Sequence, residues 1–352
     1  MKVLFLSHQS AFLYGGEIVT LEFMRELRRE GVEVHFAAPQ GIYMERAREV
    51  ANFCHEIPSM QFSRKWKLLP KLMASLLRTR NTLKKILREH GICVLHATSL
   101  KAMVFAWSLG NQFSVIWHHH DILPASLPNF LWLRSLSWRS RRILVPSSAT
   151  RSALLASGIS AEKVHVLRNG FRLEEWAARP PRGLNQPFRI GMIGEISPRK
   201  GSDRLEGFLK ELAGEPDFEV LVVGEGLSDP DFAEKIRERL ASNKVKFLGR
   251  ISPMKDFYRE MDLLFVPSRQ DPLPTVIVEA GLSAVPVLGA RVGGIPEMIE
   301  NGQNGFLFDN EAEAAEGFRK IRTHWQDFSR QARSFAERNY DIVKITEELK
   351  KH

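Results

Sequence analysis

The sequence predicts an α/β protein with two domains of β/α/β units, each built on a parallel sheet. Three observations support this prediction. A chain of 352 residues is long enough for two ordinary domains. Short apolar runs alternate with amphipathic helical stretches along the chain, which is typical of parallel sheets. A Pro- and Gly-rich segment at 178–187, ARPPRGLNQP, lies between two such series and is the best candidate for a linker.

Composition predicts a cytoplasmic globular protein. Apolar residues make up 44% of the chain and charged residues 26%, which are ordinary values. Cys54 and Cys93 are too few for a disulfide framework, which fits a reducing compartment. We expect neither a signal peptide nor a membrane-spanning segment, because no apolar stretch has the required length and composition.

Positive charge is concentrated in the first half of the chain. Residues 1–170 contain 23 Lys and Arg against 11 Asp and Glu, whereas residues 171–352 contain 27 against 30. Such an asymmetry predicts an acidic partner on the first domain: nucleic acid, anionic lipid or an anionic substrate.

The first domain opens with a β/α/β unit. MKVLFLSH is a buried strand, and Gly15-Gly16 form the turn after it. The next helix has apolar residues at three- and four-residue spacing, and VEVHFAAP is the second strand. Ligands bind at the carboxyl ends of such strands, but this turn lacks the full G-x-G-x-x-G pattern of dinucleotide sites.

Two basic, apolar segments follow in the first domain, at 62–90 and 130–142. The first contains nine basic residues and one acidic residue, and the second contains Trp132 and Trp138. This composition is typical of a helix on an anionic membrane surface. The alternative is a core-facing helix with a solvated basic side. Nucleic-acid binding is disfavoured because no recognition motif accompanies the charge.

The later strands of the first domain are ICVLHAT, FSVIWHHHD and RRILV, and KVHVLRNGF closes the domain. Side chains alternate along a strand, so His118, His119 and His120 cannot all bind one metal ion. No partners for a zinc site are evident, and we predict no metal site.

The second domain begins with FRIGMIGEISPRKG, a strand followed by a glycine loop and cations, which suits a diphosphate. VLVVGEG, VKFLGRIS and LLFVP are further strands. The segment 267–297 predicts a loop with Asp271 and a helix with Thr275 as N-cap and Glu279 in its first turn. The strand VPVLGA follows, and Gly293-Gly294 then turn into Pro296, which starts another helix. A helix N-terminus flanked by carboxylates suits a sugar nucleotide, because amides bind phosphate and carboxylates accept hydrogen bonds from hydroxyls.

Over this segment the chain resembles the retaining glycosyltransferases of family 4. Their signature, two acids separated by seven residues and followed by a Gly-Gly-x-x-Glu turn, corresponds here to DPLPTVIVEA and GGIPE. The first acid is Asp271 instead of Glu. The resemblance covers nearly the whole chain and implies the GT-B fold, with two Rossmann-like domains facing each other across a cleft. The implied boundaries are 1–172 for the acceptor-side domain and 173–335 for the donor domain, with a C-terminal helix at 336–352 that crosses back to the first domain.

The resemblance also implies roles for individual residues. His120, or His118 on the same face, contacts the transferred sugar, and Lys200 binds the donor diphosphate. Glu195 replaces the family's arginine, and Arg199 is the candidate to compensate. Asp271 binds sugar hydroxyls, and Glu279 binds the ribose. The remaining implied donor-binding residues are Gly15, Gly16, Gly249, Arg250, Pro274, Thr275 and Val276.

The implied function is retaining transfer of a hexose from a UDP- or GDP-sugar to a hydroxyl of a glycan or lipid-linked acceptor, in cell-surface polysaccharide, lipopolysaccharide or glycolipid synthesis. We expect no cofactor and no metal, since no Asp-x-Asp motif is present. The expected partners are the donor, the acceptor and an anionic membrane surface at the inner face of the membrane, without nucleic acid. Glu195 and Asp271 keep open the alternative of a catalytically silent paralogue that binds nucleotide sugar as a partner subunit. An epimerase or a phosphorylase on a similar frame is a further alternative.

Overall fold

The computed structural model describes residues 1–11, 13–59, 69–123, 126–176, 187–252 and 254–352. The chain forms two units: unit 1 contains Met1–Phe171 and Ile342–His352, and unit 2 contains Arg172–Asp341. Most of the predicted linker and the first part of the basic segment at 62–90 lie outside the described residues.

Unit 1 contains a seven-stranded parallel sheet in the order β3-β2-β1-β4-β5-β6-β7. Its strands are β1 Lys2–Leu6, β2 Glu33–Ala38, β3 Phe53–Glu56, β4 Val94–Ala97, β5 Ser114–His118, β6 Arg142–Val145 and β7 Val164–Val166. Apart from the edge strand β3, whose two end residues are exposed, and the partly buried β7, they are largely buried apolar runs, as expected for strands that are covered on both faces. The helices that connect them are α1 Gly15–Arg29, α2 Ile42–Val50, α3 Leu69–Glu89, α4 Leu100–Ser108, α5 Leu127–Arg139 and α6 Ser148–Ala156, with short 3-10 helices at Gly110–Gln112 and Ala161–Lys163.

Unit 2 contains a six-stranded parallel sheet in the order β10-β9-β8-β11-β12-β13. The strands are β8 Phe188–Ile193, β9 Phe218–Val223, β10 Val245–Gly249, β11 Leu263–Val266, β12 Val287–Ala290 and β13 Gly305–Phe308. The helices are α7 Arg204–Glu211, α8 Pro230–Arg239, α9 Met254–Glu260, α10 Thr275–Leu282, α11 Glu311–Thr323 and α12 Trp325–Asn339, with 3-10 helices at Leu173–Glu175 and Ile295–Glu297. Its core contains stacked aromatic rings, including those of Phe208 and Phe265.

Both sheets have the strand order of doubly wound dinucleotide-binding folds, so the prediction of two Rossmann-like α/β domains is confirmed. In each sheet the order reverses between the first and fourth strands, β1 and β4 in unit 1 and β8 and β11 in unit 2. The helices that follow these strands leave in opposite directions and open a crevice at the carboxyl ends. Each unit therefore offers one such ligand position.

The C-terminal segment differs from the prediction of one helix over 336–352. Helix α12 ends at Asn339 in unit 2, and a separate helix, α13 Ile342–Leu349, packs on α1 in unit 1. A Cβ atom on Gly170 would lie 2.6 Å from Cδ1 of Ile342, so this close approach requires glycine. Among the described residues, no helix is both long enough and apolar enough to span a bilayer.

Candidate active site

The crevice of unit 2 lies between the loops that follow β8 and β11. These strands are hydrogen-bonded neighbours, and their loops contain the predicted cations and the first predicted carboxylate. The two loops and the start of α10 line a small recess, formed in part by Met192, Gly194, Lys200, Pro267, Ser268 and Val276. The recess therefore lies where doubly wound folds bind nucleotides.

Lys200, which lines this recess, forms an ion pair with Asp271 of the loop after β11. Nζ of Lys200 is 2.6 Å from Oδ2 of Asp271, and their side chains are 21% and 5% exposed. The carboxylate is thus almost completely removed from water and requires a cation beside it. The structure brings together two predicted site residues that are far apart in the sequence.

A close approach of the two backbones fixes the lysine loop. Gly201 has a φ of +68°, and a Cβ atom there would lie 2.0 Å from the carbonyl oxygen of Pro267. Arg269 also binds both carboxylate oxygens of Asp203, at 2.6 and 2.7 Å, which holds the pKa of Asp203 below its usual value. The two loops therefore form one rigid platform. Asp203 and Arg269 were missed in the sequence, where no spacing rule connects them.

Arg199 does not point into the recess. Its guanidinium donates to the carbonyl oxygen of Gln270 at 3.3 Å, and its own carbonyl accepts from the backbone N–H of Arg269. In this conformation Arg199 supports the loop that contains Asp271. It would need a different rotamer to reach a phosphate.

Glu195, at the position of the family's arginine, lines the recess, and its carboxylate reaches the loop after β9. Its Oε1 accepts a hydrogen bond from the backbone N–H of Ser228 at 2.9 Å. Beside this loop, Arg250 pairs with Glu225 at 3.0 Å, and the Gly249 carbonyl accepts from the N–H of Gly224 at 2.8 Å. The Glu195 carboxylate therefore has a backbone N–H as its hydrogen-bond donor. Gly249 and Arg250 contact the same loop after β9.

The prediction that Thr275 is the N-cap of α10 is wrong. Pro274 is the N-cap, and Thr275 is the first helical residue and makes no capping hydrogen bond. Proline fixes φ near −65° and already suits the helix entrance, so no side-chain cap is required. Val276, in the first turn of α10, lines the recess. The first backbone N–H groups of a helix have no acceptor within the helix and can therefore bind an anion.

Glu279 lies one residue further into α10 than predicted, because the helix begins at Thr275 and Glu279 is its fifth residue. Its carboxyl is buried, and this burial raises its pKa above the ordinary value of 4.5. The Tyr258 and Thr275 hydroxyls and the Lys255 ammonium partly oppose the rise. A buried carboxyl of this kind favours a partner that donates hydrogen bonds, such as a ribose diol.

The predicted Gly293-Gly294 turn packs against the backbone of the loop that contains Asp271. A Cβ atom on Gly293, whose φ is +55°, would lie 1.9 Å from the carbonyl oxygen of Asp271. The backbone N–H of Gly294 donates to that oxygen at 3.0 Å. These glycines position the acid and contribute no functional group of their own.

In unit 1, His120 and Gly16 lie side by side. Gly15 is the first residue of α1, and a Cβ atom on Gly16 would lie 3.8 Å from the His120 ring. His118 and His120 share one side, with ring centroids 4.0 Å apart, whereas His119 contacts Trp117. Burial lowers the pKa of His120 to about 4, so the ring is neutral at pH 7. Within the described part of the chain, its Nε2 has no hydrogen-bond partner.

The crevice of unit 1 contains a pair that the sequence analysis missed. His8 follows β1 and Ser99 follows β4, and Nδ1 of His8 is 2.9 Å from Oγ of Ser99. Burial, and secondarily the Lys101 charge, lower the pKa of His8 to about 4. The rule that ligands bind where the strand order reverses would have found both residues, because they directly follow the two strands concerned.

Both units match family models. Residues 14–175 match the model of Glycosyltransferase Family 4, and residues 174–340 match that of Glycosyl transferases group 1. Together with the two parallel-sheet domains, these matches identify the chain as a glycosyltransferase with the GT-B fold. The chain belongs to the family 4 glycosyltransferases.

The relatives that resemble this chain match it over only part of their own length. The sulfoquinovosyl transferase SQD2 of Arabidopsis thaliana is 26% identical over 87% of this chain and 62% of its own length. The D-inositol 3-phosphate glycosyltransferase of Streptomyces scabiei is 29% identical over 49% of this chain and 44% of its own. The chain thus spans less than two thirds of these relatives. The structure of Anabaena HepE with UDP and glucose superposes with a TM-score of 0.85 at 23% identity, covering 100% of this chain and 98% of HepE, which shows the shared fold.

Proposed function

We propose that this protein is a retaining, metal-independent glycosyltransferase that moves a hexose from a UDP- or GDP-sugar to a hydroxyl of a glycan or lipid-linked acceptor. The observation that carries the proposal is the Lys200–Asp271 pair between the loops after β8 and β11, where the strand order of unit 2 reverses. Lys200 also lines the recess beside the start of α10. A nucleoside diphosphate sugar needs both a cation and a carboxylate at such a place. The Anabaena HepE structures, which contain UDP or UDP-glucose, support a donor of this class.

In the proposed reaction, the bond between the anomeric carbon and the β-phosphate oxygen breaks, and a bond from the acceptor oxygen to that carbon forms. The acceptor proton passes to the departing phosphate. Negative charge therefore grows on the β-phosphate, where Lys200 and the first amides of α10 would stabilise it. Because this chain supplies the positive charge itself, no divalent ion has an assigned role.

Two carboxyl groups would orient the donor. Glu279 would accept hydrogen bonds from the ribose hydroxyls, and Asp271 from the sugar hydroxyls. Asp271 is one methylene shorter than the family's glutamate, and its backbone carbonyl is fixed by the Gly293-Gly294 turn. His120 is assigned to the transferred sugar by the family resemblance, and its neutral ring with an unpartnered Nε2 within the described structure suits a hydroxyl.

We further propose that unit 1 binds an anionic membrane through α5 and α3. Leu127, Leu131, Arg134 and Trp138 lie on one face of α5, and the three apolar side chains are 62–76% exposed. On α3, Met73 and Leu77 are each 51% exposed, and this helix is strongly basic. Exposed apolar side chains interleaved with cations suit the interface of an anionic bilayer. In support, the relatives include a phosphatidylinositol N-acetylglucosaminyltransferase subunit of Saccharomyces cerevisiae.

The experiment that tests the reaction measures donor binding and turnover separately. Melting temperatures are recorded in EDTA with UDP, GDP, ADP and their sugars, for wild type and for Glu279→Ala. A nucleotide at about 100 times its Kd adds about 2.7 kcal/mol to the free energy of unfolding. We expect one base to stabilise the wild type and to have little effect on the variant. Turnover is then measured as nucleotide release and transfer to lipid extracts.

Each outcome separates the alternatives. Binding together with acceptor-dependent transfer supports the proposal. Binding without turnover supports the silent paralogue, which Glu195 in place of arginine motivates. Conversion of the donor sugar without acceptor supports an epimerase. If no nucleotide stabilises the folded wild type, the donor site itself is rejected.

A further inference from the structure

We propose that His35, His55 and His90 form a binding site for a divalent transition metal such as Zn²⁺ in unit 1. The three side chains come from different elements: His35 from β2, His55 from β3 and His90 from the turn after α3. Each offers one ring nitrogen, and these three atoms all lie within 4.8 Å of one another. Neither the sequence analysis nor the proposed reaction uses these residues.

The sheet register explains why the rings meet. His35 pairs with Phe53 and Ala37 with His55, so His35, Phe53 and His55 point to the same face of the sheet. Nδ1 of His35 is 2.9 Å from Nε2 of His55. The His90 ring stands edge-on to both, with centroid distances of 4.8 and 4.9 Å. The His35 and His55 rings are parallel, with 4° between their planes, and their nitrogens face each other. Three imidazoles from three elements thus bring one ring nitrogen each within 4.8 Å of the others.

The distances are close to those of a metal site. Zn–N bonds of about 2.0–2.1 Å in a tetrahedron place the ligand nitrogens roughly 3.3 Å apart. A metal ion would replace the His35–His55 hydrogen bond, and the half-buried His55 and His90 rings would have to rotate to bring all three nitrogens to this spacing. A site with three protein nitrogens leaves a fourth position for water, and imidazole ligands suit Zn²⁺, Cu²⁺ or Ni²⁺.

A carboxylate already orients the central ring. Oε1 of Glu33 is 2.9 Å from Nε2 of His35, and Nζ of Lys2 lies 3.0 Å from the same oxygen. When His35 donates Nε2–H to this carboxylate, its Nδ1 lone pair faces the other two rings. Metal-bound histidines usually have such a carboxylate or carbonyl partner, which fixes their tautomer and raises their basicity.

The site lies away from the crevices. His90 precedes β4 and therefore lies at the amino ends of the strands, whereas His8 and His120 follow the carboxyl ends of β1 and β5. A bound metal would fasten β3, the edge strand of the sheet, to β2 and to the end of α3. Its effect would be on stability, so this inference and the proposed function can fail independently.

The test uses metal-stripped wild-type protein, titrated with Zn²⁺ against a chromogenic chelator and with Co²⁺ followed by visible absorption. We expect one tight Zn²⁺ per chain, tetrahedral Co²⁺ bands and a higher melting temperature with Zn²⁺. His55→Gln and His90→Gln should each weaken Zn²⁺ binding at least 100-fold. Glu33→Gln should weaken it about 10–100-fold, because the ligand ring loses its orienting partner.

His165→Gln is the matched control, because His165 and His352 form a histidine pair in the same unit, with ring centroids 4.4 Å apart. This variant should bind Zn²⁺ like the wild type. Melting curves in EDTA establish that every variant is folded before its affinity is interpreted. The proposal is overturned if folded wild type binds no stoichiometric Zn²⁺, or if binding is unchanged in both His55→Gln and His90→Gln; the three rings are then only hydrogen-bonded and stacked.

Discussion

Lys200 and Asp271 form a 2.6 Å ion pair that connects the loops after β8 and β11. The pair has two roles that can be separated. Without a donor, the ammonium compensates a carboxylate that is only 5% exposed. With a donor, the proposed reaction gives each partner a different contact, the ammonium to the β-phosphate and the carboxylate to a sugar hydroxyl.

We predict that Lys200→Met loses both stability and activity. Removing one partner of a buried pair costs about 3–5 kcal/mol, and we expect roughly half of this because the lysine is partly exposed. The double variant Lys200→Met/Asp271→Asn should recover most of the melting temperature, yet its kcat/KM should stay at least about 100-fold below wild type.

Lys210→Met serves as the control, because Lys210 pairs with Glu206 on the surface with a side chain that is 74% exposed. Denaturant unfolding and transfer assays measure the two effects. Wild-type turnover in Lys200→Met would contradict the assignment of Lys200 to the leaving group.

Glu279→Gln should stabilise the protein without ligand at neutral pH. Burial raises the pKa of this carboxyl in the folded state, so its ionised form costs stability above that pKa and costs nothing below the unfolded value of about 4.5. The difference in melting temperature between variant and wild type should therefore grow as the pH rises above about 4.5 and level off above the raised pKa of the folded state.

The same variant should bind nucleotide at least about 10-fold more weakly, because a hydrogen bond to a charged group is lost. The exposed Glu238 on α8 provides the control variant Glu238→Gln. Equal nucleotide affinity in Glu279→Gln and wild type would reject the ribose assignment.

Gly201→Ala should disrupt the platform of the donor recess. A left-handed backbone conformation alone costs an alanine about 1–2 kcal/mol, and here the added methyl group would also collide with Pro267. Gly302→Ala isolates the first cost, since Gly302 has a φ of +82° with nothing within 4 Å of a Cβ atom. We expect a larger loss of melting temperature in Gly201→Ala, together with loss of the nucleotide-induced shift. Similar behaviour of the two variants would argue against a rigid platform.

His120→Asn should reduce transfer and leave the UDP- or GDP-induced melting shift unchanged, because the proposed role of His120 concerns the sugar. The pKa of His120 is lowered to about 4 by burial, so this ring should contribute no inflection to the pH–rate profile between about pH 5.5 and 8. His324→Asn, at an exposed position in unit 2, is the control. An inflection near pH 6.5 that disappears in His120→Asn would contradict the prediction of a neutral ring.

Membrane binding should depend on the exposed face of α5. Leu131→Ser and Trp138→Ser should each reduce sedimentation with anionic liposomes about 10-fold, since each removes roughly 1.5 kcal/mol of apolar burial. Added salt should weaken binding by screening the basic residues. Ile42→Ser is the control, because Ile42 is 48% exposed but lies on α2. Absence of sedimentation at low salt would reject the membrane proposal.

The sequence predicted most of the strands, because short buried apolar runs such as LLFVP, bounded by turn residues, are typical of covered strands. It missed the edge strand β3, whose end residues Phe53 and Glu56 are exposed. It also predicted which loops contain Lys200 and Asp271. It did not predict that these two side chains pair, since a contact between loops 71 positions apart depends on the strand order. Thr275 illustrates the opposite error: its type suits an N-cap, but Pro274 already occupies that position.

Residues that act through tertiary contacts were not predictable from local spacing. His35, His55 and His90 are widely separated, and only the parallel register of β2 and β3 brings two of them to one face. The C-terminal helix shows the same limit. An amphipathic pattern continues through Tyr340, yet the chain leaves unit 2 there, and the backbone N–H of Ile342 donates to the carbonyl of Phe171 at 3.0 Å.

Because Ile342 bonds to Phe171 and packs on Gly170, unit 1 needs residues that are synthesised after unit 2. Unit 2 is an uninterrupted segment, so every residue it needs has left the ribosome once Asp341 has emerged. Unit 1 begins first but lacks α13 until residues 342–352 follow. Unit 1 is therefore completed after unit 2, and until then the surface of α1 that packs against α13 lacks its partner helix.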